Sequence, residues 1–154
     1  MKISFAKLFF LLLLCLFATA GCVRQTGGPA AVSSDDLAGA YRVLWSDGEP
    51  NDHIFSLEQK NSTWYMADDE DSVPMTVLAP AEIEDIFGKD MARSAQCLEA
   101  LSGASTIVIC VTKPGTATEV RIDDFMSYSA KFTAKTGYFA YIGHMGIWDL
   151  EKIR

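Results

Sequence analysis

The sequence predicts a mainly β (α+β) domain: a small antiparallel sheet or barrel of about eight strands, with a helical insertion after the fourth strand. Three observations predict it. Short apolar alternations recur over residues 41–77 and 107–153, punctuated by Gly, Pro, Asn and Asp. Between them, from Pro80 to Gly103, the apolar spacing lengthens to a helical period. Neither an internal repeat nor a parallel βαβ rhythm occurs, so the sheet reads as antiparallel.

In chain order, Tyr41, Val43 and Trp45 alternate with Arg42 and Leu44, and Ser46-Asp47-Gly48 ends that strand. Ile54–Glu58 and Thr63–Met66 flank Lys60-Asn61-Ser62, a hairpin. The acidic run Asp68–Asp71 precedes Val73, Met75 and Val77, where Pro74 restricts the segment to an edge or a strand start. Pro80 suits a first helical turn, and Ile83, Ile86 and Phe87 give one apolar face before Gly88. Asp90 reads as the N-cap of a second helix, with Met91, Ala95 and Leu98 at i, i+4 and i+7 and Gly103 as its stop. Ile107–Val111 is apolar on both faces and is therefore expected to be a central, covered strand. Pro114-Gly115 forms a type II turn, because proline fixes φ at the first central position and glycine allows positive φ at the second. Val120 and Ile122, then Met126–Phe132, alternate again. Tyr138–Ile142 and Ile147–Ile153 flank Gly143–Gly146 as a final hairpin.

The first residues are not part of this domain. Lys2 and Lys7 precede a wholly apolar run, Leu8–Phe17, which is too short for a bilayer span of about 20 residues. Small residues follow, Ala18-Thr19-Ala20-Gly21, and then Cys22. These are the zones of a secretory signal. Thr19-Ala20-Gly21-Cys22 resembles the lipobox of bacterial lipoproteins, with Thr19 standing where leucine is usual. The resemblance implies cleavage after residue 21 and diacylglycerol and palmitate on Cys22. Ordinary secretory cleavage nearby is the alternative. Val23 is not the aspartate that implies inner-membrane retention in such proteins, so the resemblance implies the outer membrane. Residues 1–21 are thus expected to be a signal peptide, 22–36 a lipidated N-terminus and flexible tether, and 37–154 a single β-rich domain. Leu37–Val43 also resembles the Gly-x-Trp opening strand of lipocalin-like barrels, with Tyr41 in place of the tryptophan.

The formal net charge is −7, and removing the leader takes two more lysines. Such a chain is a poor candidate for nucleic acid or anionic headgroups, and a basic partner suits it better. With Cys15 in the leader and Cys22 lipidated, Cys97 and Cys110 remain as an even pair in an exported protein. A disulfide is expected, bridging the second helix to the apolar strand. No nucleophile elbow or paired-histidine motif accompanies His53 and His144, which read as loop or surface residues. Asp68–Asp71 and Asp47–Asp52 lack EF-hand spacing and read as solvated turns, with calcium as the alternative. Trp45, Trp64, Tyr65, Tyr138, Phe139, Tyr141 and Trp148 cannot all face one side of their strands. They make either an exposed binding face or a second core layer beneath the helices. The functional expectation is a membrane-anchored envelope lipoprotein of the periplasm-facing or surface-facing leaflet. Its domain is non-enzymatic, needs no cofactor or metal, and binds another envelope or exported protein, as an inhibitor, immunity protein or assembly subunit. A lipocalin-like carrier of a small apolar ligand is the alternative, and a small hydrolase a third reading.

Overall fold

The computed structural model describes residues 33–102, 105–122 and 128–154, all within one compact unit. The leader, Cys22 and most of the expected tether lie outside the described residues. The described residues begin at Ser33, ahead of the expected domain start at Leu37. The Ser33 hydroxyl accepts from Asp35 N, Asp36 accepts from Ser33 N, and a 3-10 turn follows over Ser34–Leu37.

Eight strands close an antiparallel up-and-down barrel. They are β1 (Gly39–Leu44), β2 (Pro50–Lys60), β3 (Thr63–Ala67), β4 (Ser72–Val77), β5 (Gln96–Ser102), β6 (Ser105–Val111), β9 (Tyr138–Ile142) and β10 (Gly146–Lys152). Two insertions interrupt the meander. Helices α1 (Pro80–Phe87) and α2 (Lys89–Ser94) join β4 to β5. A separate two-stranded hairpin, β7 (Thr116–Ile122) and β8 (Tyr128–Ala134), joins β6 to β9. The turns match their residues: Asn61 and Ser62 both take positive φ between Lys60 and Thr63, and Gly115 (φ 84°) follows Pro114 within a Lys113–Thr116 turn. Pro74 sits opposite Tyr65 of β3, where β4 has not yet met β5; that pairing starts at Thr76. The missing proline N–H therefore costs no ladder bond on the β5 side.

One expectation fails. The second helix stops at Ser94, and Cys97 and Leu98 belong to strand β5. Asp90 lies inside α2, and Gly88 (φ 84°) serves as its N-cap. The Cys97–Cys110 disulfide forms, but between directly opposite residues of adjacent strands, with Cα atoms 4.1 Å apart. It pins no helix.

The strands β5, β6 and β9 form a wall with a core on each side. Inside the barrel, Tyr41, Phe55, Leu57, Trp64, Met75, Leu98, Ile109 and Leu150 pack together with Leu37. Outside it, Cys97, Val108, Cys110, Phe139 and Tyr141 are covered by Ile83, Phe87 and Met91 of the helices and Val120 and Ala134 of the hairpin. Phe87 meets Phe139 and Tyr141 edge-on at 5.4 and 5.6 Å. The Thr118 hydroxyl donates to Phe87 O at 2.6 Å and ties hairpin to helix. Ile107–Val111 is thus apolar on both faces because both are buried, as its pattern requires. Phe139 and Tyr141 are a second core layer, not an exposed face.

One barrel end is plugged. Tyr41 is fully buried, donates its hydroxyl to Leu37 O at 2.7 Å, and stacks on Phe55 at 5.6 Å. Burial, then the neighbouring Tyr138 and Asp36, push its pKa far above the ordinary tyrosine value. Lys152 Nζ lies over the Tyr41 and Tyr138 rings and donates to Asp36 O at 2.7 Å. Gly39 (φ 149°) precedes this cap, and a Cβ there would collide with Arg154 O.

Candidate binding surface

Antiparallel order sorts the connections between the two ends. The plugged end holds the 3-10 turn and the β2–β3 turn, and both insertions leave the barrel there before packing over its outer wall. The β1–β2, β3–β4, β5–β6 and β9–β10 connections gather at the other end. That loop end carries the residues singled out from the sequence. Its acids cap their own turns. Asp47 Oδ1 accepts from Glu49 N at 3.0 Å. Asp68 Oδ1 accepts from Glu70 N and Asp71 N, both at 2.9 Å. Those two bonds hold the Asp68 carboxyl below the ordinary aspartate range. Among the described residues no cluster of three His, Cys, Asp or Glu side chains is placed to hold a metal ion.

His53 is exposed on β2, with its N–H bonded to Asn51 Oδ1. His144 sits in the β9–β10 turn, with Nε2 3.4 Å from the Ser105 hydroxyl. A Ser–His pair is therefore present. Among the described residues no carboxylate pairs with either nitrogen of His144, so the third member of a triad is not in place.

Trp45 stands out at this end. Its N–H donates to Glu49 O and its carbonyl accepts from Gly48 N, both at 2.8 Å, so its backbone is fixed. Its side chain is 53 % exposed. It separates two depressions. One, of about 400 Å³, runs along Pro50–His53. The other, of about 330 Å³, lies between Trp45, Ile147 and Trp148 of the barrel and Lys131, Phe132 and Thr133 of β8. A third, of about 510 Å³, lies on the opposite side of β8, between α1–α2 and the hairpin.

The β8 edge beside Trp45 is unpaired among the described residues, since the hairpin sheet has only two strands. Its polarity follows from two bonds. Ala134 O accepts from Gly115 N, toward β7, so the next N–H, that of Lys135, points away; it donates to Asp149 Oδ1 at 2.8 Å. In an extended strand the N–H and C=O of one residue share a side, and neighbours alternate. Phe132 and Ala134 therefore bond β7, while Lys131 and Thr133 aim their main-chain groups into the groove. Asp149 closes the groove's inner end. Burial raises its pKa, opposed by bonds from the Lys135 and Thr136 backbone and by the Lys135 charge. This edge escaped the sequence reading. Its signal was the polar face Ser129, Lys131 and Thr133 on a strand whose other face is apolar.

Comparison of the chain with known protein families, with curated proteins and with solved structures gave no match.

Proposed function

We propose that the chain is a lipid-anchored envelope lipoprotein of the outer membrane whose domain binds another protein without catalysing a reaction. The observation that carries this reading is the filled barrel. Eight large side chains, from Tyr41 to Leu150, pack its interior, so recognition falls to the outer surface. A fixed, half-exposed tryptophan between two depressions is the kind of anchor on which protein interfaces concentrate their energy. The chain enters the barrel at the plugged end, so Trp45 and the loop end lie on the side opposite that entry. An inhibitor, an immunity protein or an assembly subunit fits that placement, and the negative charge favours a basic partner.

The test is a photo-crosslinking amino acid at position 46, on the exposed rim of the groove beside an intact Trp45, in living cells. A discrete protein adduct, absent with the same group at Lys60 near the plugged end, is expected. Adducts at neither position would overturn the reading. The anchor is tested separately: Cys22→Ala should abolish palmitate labelling and release the protein from the membrane fraction. The second reading, a lipocalin-like carrier, draws on the closed eight-stranded barrel and the Gly39-x-Tyr41 opening. It requires uptake of an apolar fluorescent probe into the barrel, which the packed interior opposes.

A further inference from the structure

We propose that the free edge of β8 accepts an extended segment of the partner protein as a third strand, seating one apolar side chain of that segment against Trp45. The inference rests on the protein-binding reading and names where and how the partner is held.

Three observations carry it. Lys131 and Thr133 direct their N–H and C=O groups away from β7, and no acceptor for either N–H lies among the described residues. Such an edge is a template for strand addition. The groove beside it is lined by Leu44, Trp45 and Ile147 on the barrel side, with Phe132 on the strand itself. Finally, the groove is closed at one end, where Asp149 takes the Lys135 N–H. An incoming strand therefore has a fixed stop.

The geometry sets the chemistry of the occupant. Side chains of β8 alternate: Ala130, Phe132 and Ala134 turn toward the core, and Ser129, Lys131 and Thr133 face water. A strand added alongside inherits the alternation, with apolar residues toward Trp45 and Ile147 and polar residues outward. Lys131 has Glu119 opposite it on β7 and, among the described residues, nothing opposite on the free side, so a carboxylate at that register position is favoured. The occupant is thus an amphipathic extended segment, apolar and polar in alternation, with an acid facing Lys131. A lysine on an edge is also a common guard against unwanted pairing, but a guarded edge has no use for an apolar groove at its side. A second copy of this chain is disfavoured, because two-fold β8–β8 pairing sets equal lysines near each other on molecules whose net charge of −7 becomes more negative once the leader and its two lysines are removed.

The experiment starts by panning a display library of short linear peptides on the mature lipoprotein in detergent micelles. Binders with the alternating pattern are expected. Synthetic binders should lose affinity about tenfold or more on Thr133→Pro, which removes one groove-facing N–H and leaves the β7 ladder intact, and little on Thr133→Ala. N-methylation of the peptide at alternate residues should abolish binding in one register and spare it in the other. Amide exchange at Lys131 and Thr133 should be fast in the free protein and slow in the complex, with Phe132 and Ala134 slow in both. Three results would overturn the proposal: no binder at this edge, affinity that survives Thr133→Pro and methylation in both registers, or protection arising from a dimer. The two readings fail separately. A position-46 adduct that persists unchanged in Thr133→Pro cells sinks the edge and keeps protein binding, whereas no position-46 adduct with Thr133 intact sinks both.

Discussion

Reducing the Cys97–Cys110 bond should lower the melting temperature by roughly 12 °C while leaving the fold intact. The bond closes a sequence separation of 13 residues, and a loop of this size corresponds to about 3 kcal/mol in the chain-entropy account. A domain of this length shifts by about 4 °C per kcal/mol. The cross-strand placement explains why the fold survives. β5 and β6 share seven backbone register pairs, from Gln96↔Val111 to Ser102↔Ser105, so the wall stays stitched without its sulfurs. Both cysteines are fully buried, and the reduced thiols remain as small apolar groups in the outer core. The assay is thermal unfolding followed by far-ultraviolet circular dichroism, comparing oxidised protein with protein unfolded and refolded in reductant. Equal midpoints within about 3 °C would refute the entropic argument. A changed folded-state spectrum would refute the claim that the ladder suffices.

Gly39→Ala should destabilise the domain by more than about 2 kcal/mol, because the new Cβ meets the Arg154 carbonyl oxygen at a φ that L residues avoid; urea unfolding checks it. Tyr41→Phe should cost about 1 kcal/mol by removing the donor to Leu37 O, and a cost near zero would show that the 3-10 plug is held by Lys152 alone. Asp149 has a raised pKa, so its contribution to stability is greatest below the unfolded aspartate pKa and falls as pH rises through the folded value. Asp149→Asn keeps an acceptor for Lys135 N and lacks that loss. Its stability relative to the unmodified protein should therefore climb with pH across the acid range and then level off, and a flat difference would contradict the assignment. His53→Ala and His144→Ala, singly or together, should leave biological function nearly unchanged, and loss of function in folded protein would reopen the Ser105–His144 pair as chemistry.

The barrel was legible where local pattern and tertiary partner agree. Strand alternation at Tyr41–Val43, the positive-φ turn at Asn61-Ser62 and the two-faced Ile107–Val111 each state their environment directly. β5 was misread because Gln96–Ser102 contains good helix formers, Leu98, Glu99 and Ala100, following a genuine helical turn at Met91. Seven pairs with β6 outweigh that local preference, as ladder formation commonly does. The β7–β8 hairpin could not be separated from the barrel strands by sequence, since both alternate alike. Which strand edge is left open depends on closure of the ring, a property of the assembled fold. The candidate surface was therefore visible only as a list of aromatics, of which Trp45 alone is both large and half in water at the groove.

The wall shared by the two cores also makes the disulfide a clock. Helices and hairpin both leave the barrel at its plugged end and meet over the same three strands. Their cover is what separates the sulfurs from solvent, so a local opening of this outer layer is the event that exposes them. Small thiol reagents reach Cys97 and Cys110 only during such an excursion, so the pace of reduction in native buffer counts how often the outer layer opens. A strand added at the β8 edge, as proposed above, would slow that count without touching sulfur.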